Sequence, residues 1–360
     1  MKPYSKEFTD IRAIKAANRK PDFSNLLSVL KREVPSRFTL FEFIINNNKL
    51  LDLLTEGINY DKNDPLYPEK RMIDAYHAAG YDFACVRGRS FGFWSNRHKQ
   101  ENKDSLSLNE GYVITDRKSF EAYNFAWPEE SQCNWLADIE HYIPDGMKLL
   151  VPGPDGVLET VLSLTGYDNI CYMLADDPEL VTDIFTEVGS KYVRYYEMCT
   201  SYDFVGAMMA DDDWGFNTQT FLSDADMRKY VIPWHVKIAE AVHNAKKPMT
   251  FHSCGNISRL MDDVINVIKH DGWHSFEDNI LPVEDAYEKY GGKDGKIAIL
   301  GGIDMDFLCR STPKQVYQRS CAMLERSKNR GGYALGAGNS VPDYVPVENY
   351  LAMISAAVLN

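Results

Sequence analysis

His252 and Cys254 stand one residue apart in Thr250-Phe251-His252-Ser253-Cys254-Gly255-Asn256, at the end of a short apolar run. On an extended strand, residues i and i+2 face the same side. Imidazole and thiolate are also the nitrogen and sulfur donors that zinc favours. The pair therefore reads as half of a metal site. The plainer reading is a strand-end histidine bonded to backbone, next to a buried cysteine that packs as a small hydrophobe. A position just before a glycine turn and a helix start tips the balance toward the metal. A catalytic zinc commonly takes three protein ligands and leaves one position open. Glu277, near the end of the next strand candidate, is assigned as the oxygen ligand, with His274 and Cys309 as weaker alternatives.

Asp211-Asp212-Asp213 follows another buried run. Three successive carboxylates repel one another, so at least one must have a raised pKa or a cationic partner. Asp212 and Asp213 are read as catalytic groups that orient substrate or handle a proton. The alternative is an anion cluster near the helix that starts after Ser223. Glu42 and Asn339, at the ends of the first and last strand candidates, are assigned to substrate binding. Arg87-Gly88-Arg89 precedes Phe91-Gly92-Phe93-Trp94, which sets cations beside aromatics as an entrance wall. Gln132-Cys133-Asn134-Trp135 is a second, less specific wall.

The elements that must hold these groups alternate between strand and helix. Strand candidates are Phe38–Phe43, Tyr81–Val86, Phe204–Met209, Met249–His252, Gly272–Phe276, Ile297–Gly302 and Gly332–Gly336. The helices expected between or after them include Met72–Gly80, Asp224–Asn244, Ile257–Ile268, Val283–Tyr290 and Pro313–Lys328. Such alternation implies βα units and a parallel sheet. A doubly wound open sheet would carry a glycine-rich phosphate loop after its first strand, and no G-x-G-x-x-G stands there. Polar residues instead recur at strand ends, as at the C-terminal face of a (β/α)8 TIM-type barrel. That is the expected fold, as one domain over residues 1–360 with an N-terminal helical extension over 1–35.

Composition narrows the function. With 360 residues, 44% of them hydrophobic, the chain can bury a large core. A net charge of −13 argues against nucleic acid as a partner. No secretory leader and no bilayer-spanning run are read from the sequence. Seven scattered cysteines point to reduced thiols in a cytoplasm rather than a disulfide framework.

Several segments together resemble the uroporphyrinogen decarboxylase-like superfamily. They are Val34-Pro35 before Leu40-Phe41-Glu42, Leu174–Val181, Asp212-Asp213-Trp214-Gly215-Phe216, His252-Ser253-Cys254-Gly255-Asn256, Gly301-Gly302-Ile303-Asp304, Thr312-Pro313 and Val341–Asn349. The resemblance implies a (β/α)8 barrel with its site at the C-terminal mouth. The decarboxylase branch carries an arginine-rich substrate motif near its N-terminus, where this chain reads Arg37-Phe38-Thr39-Leu40-Phe41-Glu42-Phe43. His252 and Cys254 bring the chain closer to the zinc-dependent corrinoid methyltransferases. That branch implies Zn2+ held by the protein, a separate corrinoid-binding protein as partner, and a small methyl donor or acceptor: a methoxylated aromatic, a methylamine-like compound or a thiol. Its third zinc ligand is a cysteine in the turn after the last strand. Asn339 stands there in this chain, so Glu277 or another group must complete the set. Decarboxylation of a small carboxylic acid and a catalytically degenerate ligand-binding barrel are the competing readings. A homodimer is left open.

Overall fold

Among the described residues nine strands order the structure: β1 (Ile45–Asn46), β2 (Phe83–Cys85), β3 (Lys148–Pro152), β4 (Val205–Asp211), β5 (Met249–His252), β6 (Gly272–His274), β7 (Ala298–Leu300), β8 (Tyr333–Ala334) and β9 (Val341–Pro342). This is a computed structural model, and it describes residues 1–89, 93–95 and 107–360. Strands β2 to β8 form one parallel sheet in chain order, and β1 pairs in parallel with β9. Helices connect successive strands of the main sheet, as a right-handed βα progression requires. The result is an α/β fold of TIM type. β3 has no counterpart among the sequence-expected strands. Its apolar run, Leu149-Leu150-Val151, is short and ends at Pro152-Gly153-Pro154.

The run Phe38–Phe43, expected as the first strand, makes only a bridge from Leu40 to Leu335 beside β8. Phe41 N–H donates to Leu335 O at 2.8 Å, and Leu335 N–H donates to Thr39 O at 2.9 Å. Past Leu40 a side chain takes over the strand's bonding: the Tyr76 hydroxyl lies 3.2 Å from the carbonyls of both Glu42 and Phe43. The segment thus sits between β8 and β2, with Phe41 5.5 Å from Phe83 by ring centroids.

The N-terminal extension forms a 3-10 turn at Lys6–Thr9 and helices at Ile11–Ala16 and Ser24–Leu30. Phe23 and Leu30 close the bottom of the sheet. A Cβ on Gly206, at the start of β4, would come within 2.4 Å of Phe23, and one on Gly272, at the start of β6, within 2.9 Å of Leu30. Only glycine lets the plug approach so closely. At the other end, the register sets Asp211, His252 and His274 side by side on β4, β5 and β6. That row at the C-terminal strand ends is the floor of the candidate site.

The helix expected at Asp224–Asn244 is divided into a short turn at Asp224–Asp226, a π-helical stretch at Met227–Val231 and an α-helix at Ile232–Asn244. Pro233 explains the division: it lacks the N–H that an α-helical bond at that point would need. Val283–Tyr290 forms as expected. Pro313–Ser327 starts from a capping box made by Thr312 and Gln315.

Candidate metal centre

Among the described residues, Asp213, His252 and Cys254 each aim one donor atom at a common point, and the three atoms lie within 4.8 Å of one another. His252 Nε2 is 3.7 Å from Cys254 Sγ and 3.7 Å from Asp213 Oδ1. Zinc bonds of about 2.0–2.3 Å at tetrahedral angles set donor atoms roughly 3.4–3.6 Å apart. The two edges that meet at His252 Nε2 are therefore close to those of a zinc tetrahedron, and the third, between Cys254 Sγ and Asp213 Oδ1, lies within 4.8 Å.

The loops explain the convergence. His252 is the last residue of β5, and Cys254 follows two residues on, so both face the mouth. Cys254 N–H donates to Asp213 Oδ1 at 2.7 Å, which ties the loop after β4 to the loop after β5. Gly255 makes the turn at φ +88, packed so closely that a Cβ would meet Gly215 O at 2.1 Å. The phenyl ring of Phe43 stacks on the His252 imidazole at 4.3 Å and fixes its plane. His252 Nδ1 lies 2.7 Å from His274 Nδ1, and His274 Nε2 lies 3.2 Å from Ala337 O.

Burial decides the protonation states. The His252 pKa is pushed down to about 3, first by burial and then by the charge of Arg87, so the ring is neutral and able to ligate. His274 moves in the same direction, chiefly because it is buried. The Cys254 thiol is pushed up by burial and by Asp213, against hydrogen bonds from Asn339 and Ser275. A divalent cation at the same point reverses that balance and favours thiolate.

The three consecutive aspartates have three separate environments. Asp211 accepts from Arg87 Nη2 at 2.8 Å, while burial drives its carboxyl up to about 7 against the pull of that guanidinium. Asp212 is buried and accepts four hydrogen bonds: Leu158 N–H at 3.1 Å, Glu159 N–H at 3.0 Å, Trp214 Nε1 at 3.1 Å and His235 Nε2 at 2.8 Å. It caps the first turn of the helix Val157–Thr165, where a carboxylate meets free N–H groups. Asp213 alone turns toward His252 and Cys254. The two aspartates read as catalytic in the sequence thus part company, one anchoring a helix and the other completing the donor set.

Glu277 stands outside the three-atom cluster. Its carboxylate accepts from the Gly255 N–H, and burial and the charges of Asp304 and Asp213 raise its pKa. It lines a mouth cavity of about 650 Å3 together with Asp304, Asn339 and Tyr344. Asn339 Nδ2 donates to Cys254 Sγ at 3.1 Å, and its Oδ1 accepts from Ser340 N–H at 2.7 Å. Glu42 is fully buried below the site rather than open to it: Oε2 is 3.4 Å from Ala337 N, and burial raises the carboxyl to about 8 against hydrogen bonds from Ala337, Phe43 and Tyr350. Cys309 sits in the helix Met305–Arg310, which Asp304 caps through Phe307 N–H at 2.8 Å.

Of the entrance walls, Phe91 and Gly92 and the Gln132 side chain lie outside the described residues. Phe93 stacks on Tyr192 at 5.7 Å, and Trp94 is exposed. Arg89 pairs with Glu69 at 3.0 Å. Glu159 was not singled out from the sequence, yet it meets the aspartate run. Burial first, then the charges of Asp213, Asp211 and Asp212, push its pKa up, and it accepts the Asp213 N–H. Its place in the first turn of a helix after Gly156 was the available signal.

A parallel α/β barrel with a nitrogen, sulfur and oxygen donor set at its C-terminal strand ends defines the class: a TIM-type barrel with a candidate metal centre at the mouth. Residues 154–358, more than half of the chain, match the family described as Uroporphyrinogen decarboxylase (URO-D). The chain belongs to that family. A curated relative, the uroporphyrinogen decarboxylase of Anaeromyxobacter sp. (strain Fw109-5), is 28% identical over 142 residues, 38% of this chain and 36% of the relative. The match thus spans about a third of that relative's length. Among solved structures, a methyltransferase from Methanosarcina mazei superposes with a TM-score of 0.68 at 14% identity, covering 93% of this chain and 97% of that one. At that identity the likeness is one of fold.

Proposed function

We propose that this protein is a methyltransferase that moves a methyl group between a small substrate and a corrinoid carried by a separate protein, with Zn2+ at the mouth of the barrel. The observation that carries the reading is the convergence of His252 Nε2, Cys254 Sγ and Asp213 Oδ1 within 4.8 Å. Zinc, when bound, supplies Lewis acidity that lowers the pKa of a thiol or hydroxyl, or polarises an ether or amine leaving group. The chain's own residues do the rest. His252, Cys254 and Asp213 hold the ion, and Asn339 donates to the sulfur. Glu277, on the wall of the mouth cavity, faces the substrate, and the Arg87–Asp211 pair borders the site on the β4 side. Methyl carriage belongs to the corrinoid, and the open mouth is where its protein docks. The protein acts as one domain in the cytoplasm; among the described residues no helix is long and apolar enough to cross a membrane.

Metal analysis of the purified protein tests the reading. About one zinc per chain is expected, lost in His252→Ala and Cys254→Ser. Methyl transfer is then assayed with methylcobalamin and a thiol acceptor, and with cob(I)alamin and a methoxylated aromatic or methylamine donor. Absence of zinc, with no change on His252→Ala, would sink it. Decarboxylation of a small acid is the second reading, favoured by the name of the curated relative. Carbon dioxide release without any corrinoid would select it.

A further inference from the structure

We infer that His274 is a positioning residue that fixes the tautomer of His252 and so presents the bare Nε2 of His252 to the metal. The proposal deepens the zinc reading and rests on it only for its consequence, because the tautomer is set in the metal-free protein.

The deduction starts at Ala337. Its carbonyl oxygen has only lone pairs to offer, so His274 Nε2, 3.2 Å away, must carry the proton. The same oxygen accepts from Gly302 N–H at 3.0 Å, which holds it in place. His274 is entirely buried and no ion pair to it is formed among the described residues, so the ring is neutral and its Nδ1 is an acceptor. His252 Nδ1 faces that atom at 2.7 Å. Two ring nitrogens at this separation share a single proton, since two N–H groups would collide and two lone pairs would repel. The proton therefore sits on His252 Nδ1. Neutral His252 then has its remaining lone pair on Nε2, the atom 3.7 Å from both Cys254 Sγ and Asp213 Oδ1. Metal-ligating histidines are commonly oriented by a hydrogen bond from the other ring nitrogen, and here the acceptor is a second histidine.

The backbone is shaped to permit the relay. Gly301 sits at φ +71, and a Cβ there would come within 2.3 Å of Ala337 O and 3.0 Å of His274 Cδ2. Gly301→Ala would thus crowd both the Ala337 carbonyl and the His274 ring that bonds it.

The test is 15N NMR of histidine-labelled, metal-free full-length protein, with the His252 signals assigned by their loss in His252→Asn. The expected result is a protonated Nδ1 and an unprotonated Nε2 on His252. A protonated Nε2 in the wild type overturns the proposal, and this measurement needs no His274 variant to fold. In His274→Phe the acceptor is gone, so the His252 pattern should shift toward Nε2–H and zinc affinity, by chelator competition, should fall tenfold to a hundredfold. His274→Asn keeps an acceptor oxygen in place and should recover most of that loss. Unchanged His252 signals and unchanged affinity in His274→Phe would overturn it. If the wild type binds no zinc, the methyltransferase reading fails while the wild-type spectrum still decides the tautomer.

Discussion

Asn339 Nδ2 stands 3.1 Å from Cys254 Sγ, so an amide N–H donates to the sulfur from the turn that follows the last strand of the sheet. A group at this point is close enough to share an ion with Cys254. In this chain it stabilises negative charge on sulfur instead of adding a ligand. Asn339→Cys should therefore add a second sulfur donor and raise zinc affinity at least about tenfold, roughly 1.4 kcal/mol. Chelator competition against the wild type measures it. An unchanged or weaker affinity would show that the turn holds residue 339 too far from the ion.

Asp212 predicts a stability effect rather than a metal effect. Its carboxylate satisfies two N–H groups of the helix Val157–Thr165, the Trp214 indole and His235, all in a buried setting. Asp212→Ala leaves these donors unpaired and should cost about 3–5 kcal/mol in denaturant unfolding. Gly156→Ala should damage the same anchor, since its Cβ would fall 2.0 Å from Asp212 Oδ1. A small loss in both variants would mean that the helix start has other support.

Glu42 should impose a pH dependence on folding. Burial raises its carboxyl from 4.5 to about 8 in the folded protein. Between those values the folded chain holds a proton that the unfolded chain has released, so stability falls as pH rises across this window. Below about pH 4.5 both states are protonated and the residue adds no slope. One proton corresponds to about 1.4 kcal/mol per pH unit. Glu42→Gln, neutral at every pH, should flatten the decline between pH 5 and 8 in urea titrations. Parallel slopes for wild type and variant would refute the assignment.

How much of this could be read beforehand depended on the kind of residue. His252 and Cys254 were legible because a strand's two-residue period puts both on one side, whatever the rest of the chain does. The strands carrying Val205, Met249 and Ala298 were legible because buried parallel strands are short apolar runs. Asp213 was not separable from Asp211 and Asp212. Which of three consecutive carboxylates turns toward His252 and Cys254 is set by the Cys254 N–H, and that contact spans 41 residues. Glu42 stood out as a polar group at a strand end, but its carbonyl accepts from the Tyr76 hydroxyl and its side chain is fully buried. The relation of His274 to His252 comes from parallel register, which sequence alone does not give.

Asp213 and Glu277 offer competing oxygens, and geometry separates them. Asp213 Oδ1 is 3.7 Å from His252 Nε2 and belongs to the three-atom cluster, whereas Glu277 accepts the Gly255 N–H outside it. Asp213→Asn keeps an acceptor for the Cys254 N–H and removes the charge from the ligand. It should leave unfolding nearly unchanged and weaken zinc binding tenfold to a hundredfold. Glu277→Gln should leave zinc affinity within about twofold and act instead on KM for the small substrate, because its carboxyl lines the mouth cavity. Isothermal titration of zinc into the two metal-free variants makes the comparison direct. A larger loss in Glu277→Gln than in Asp213→Asn would transfer the oxygen ligand to Glu277.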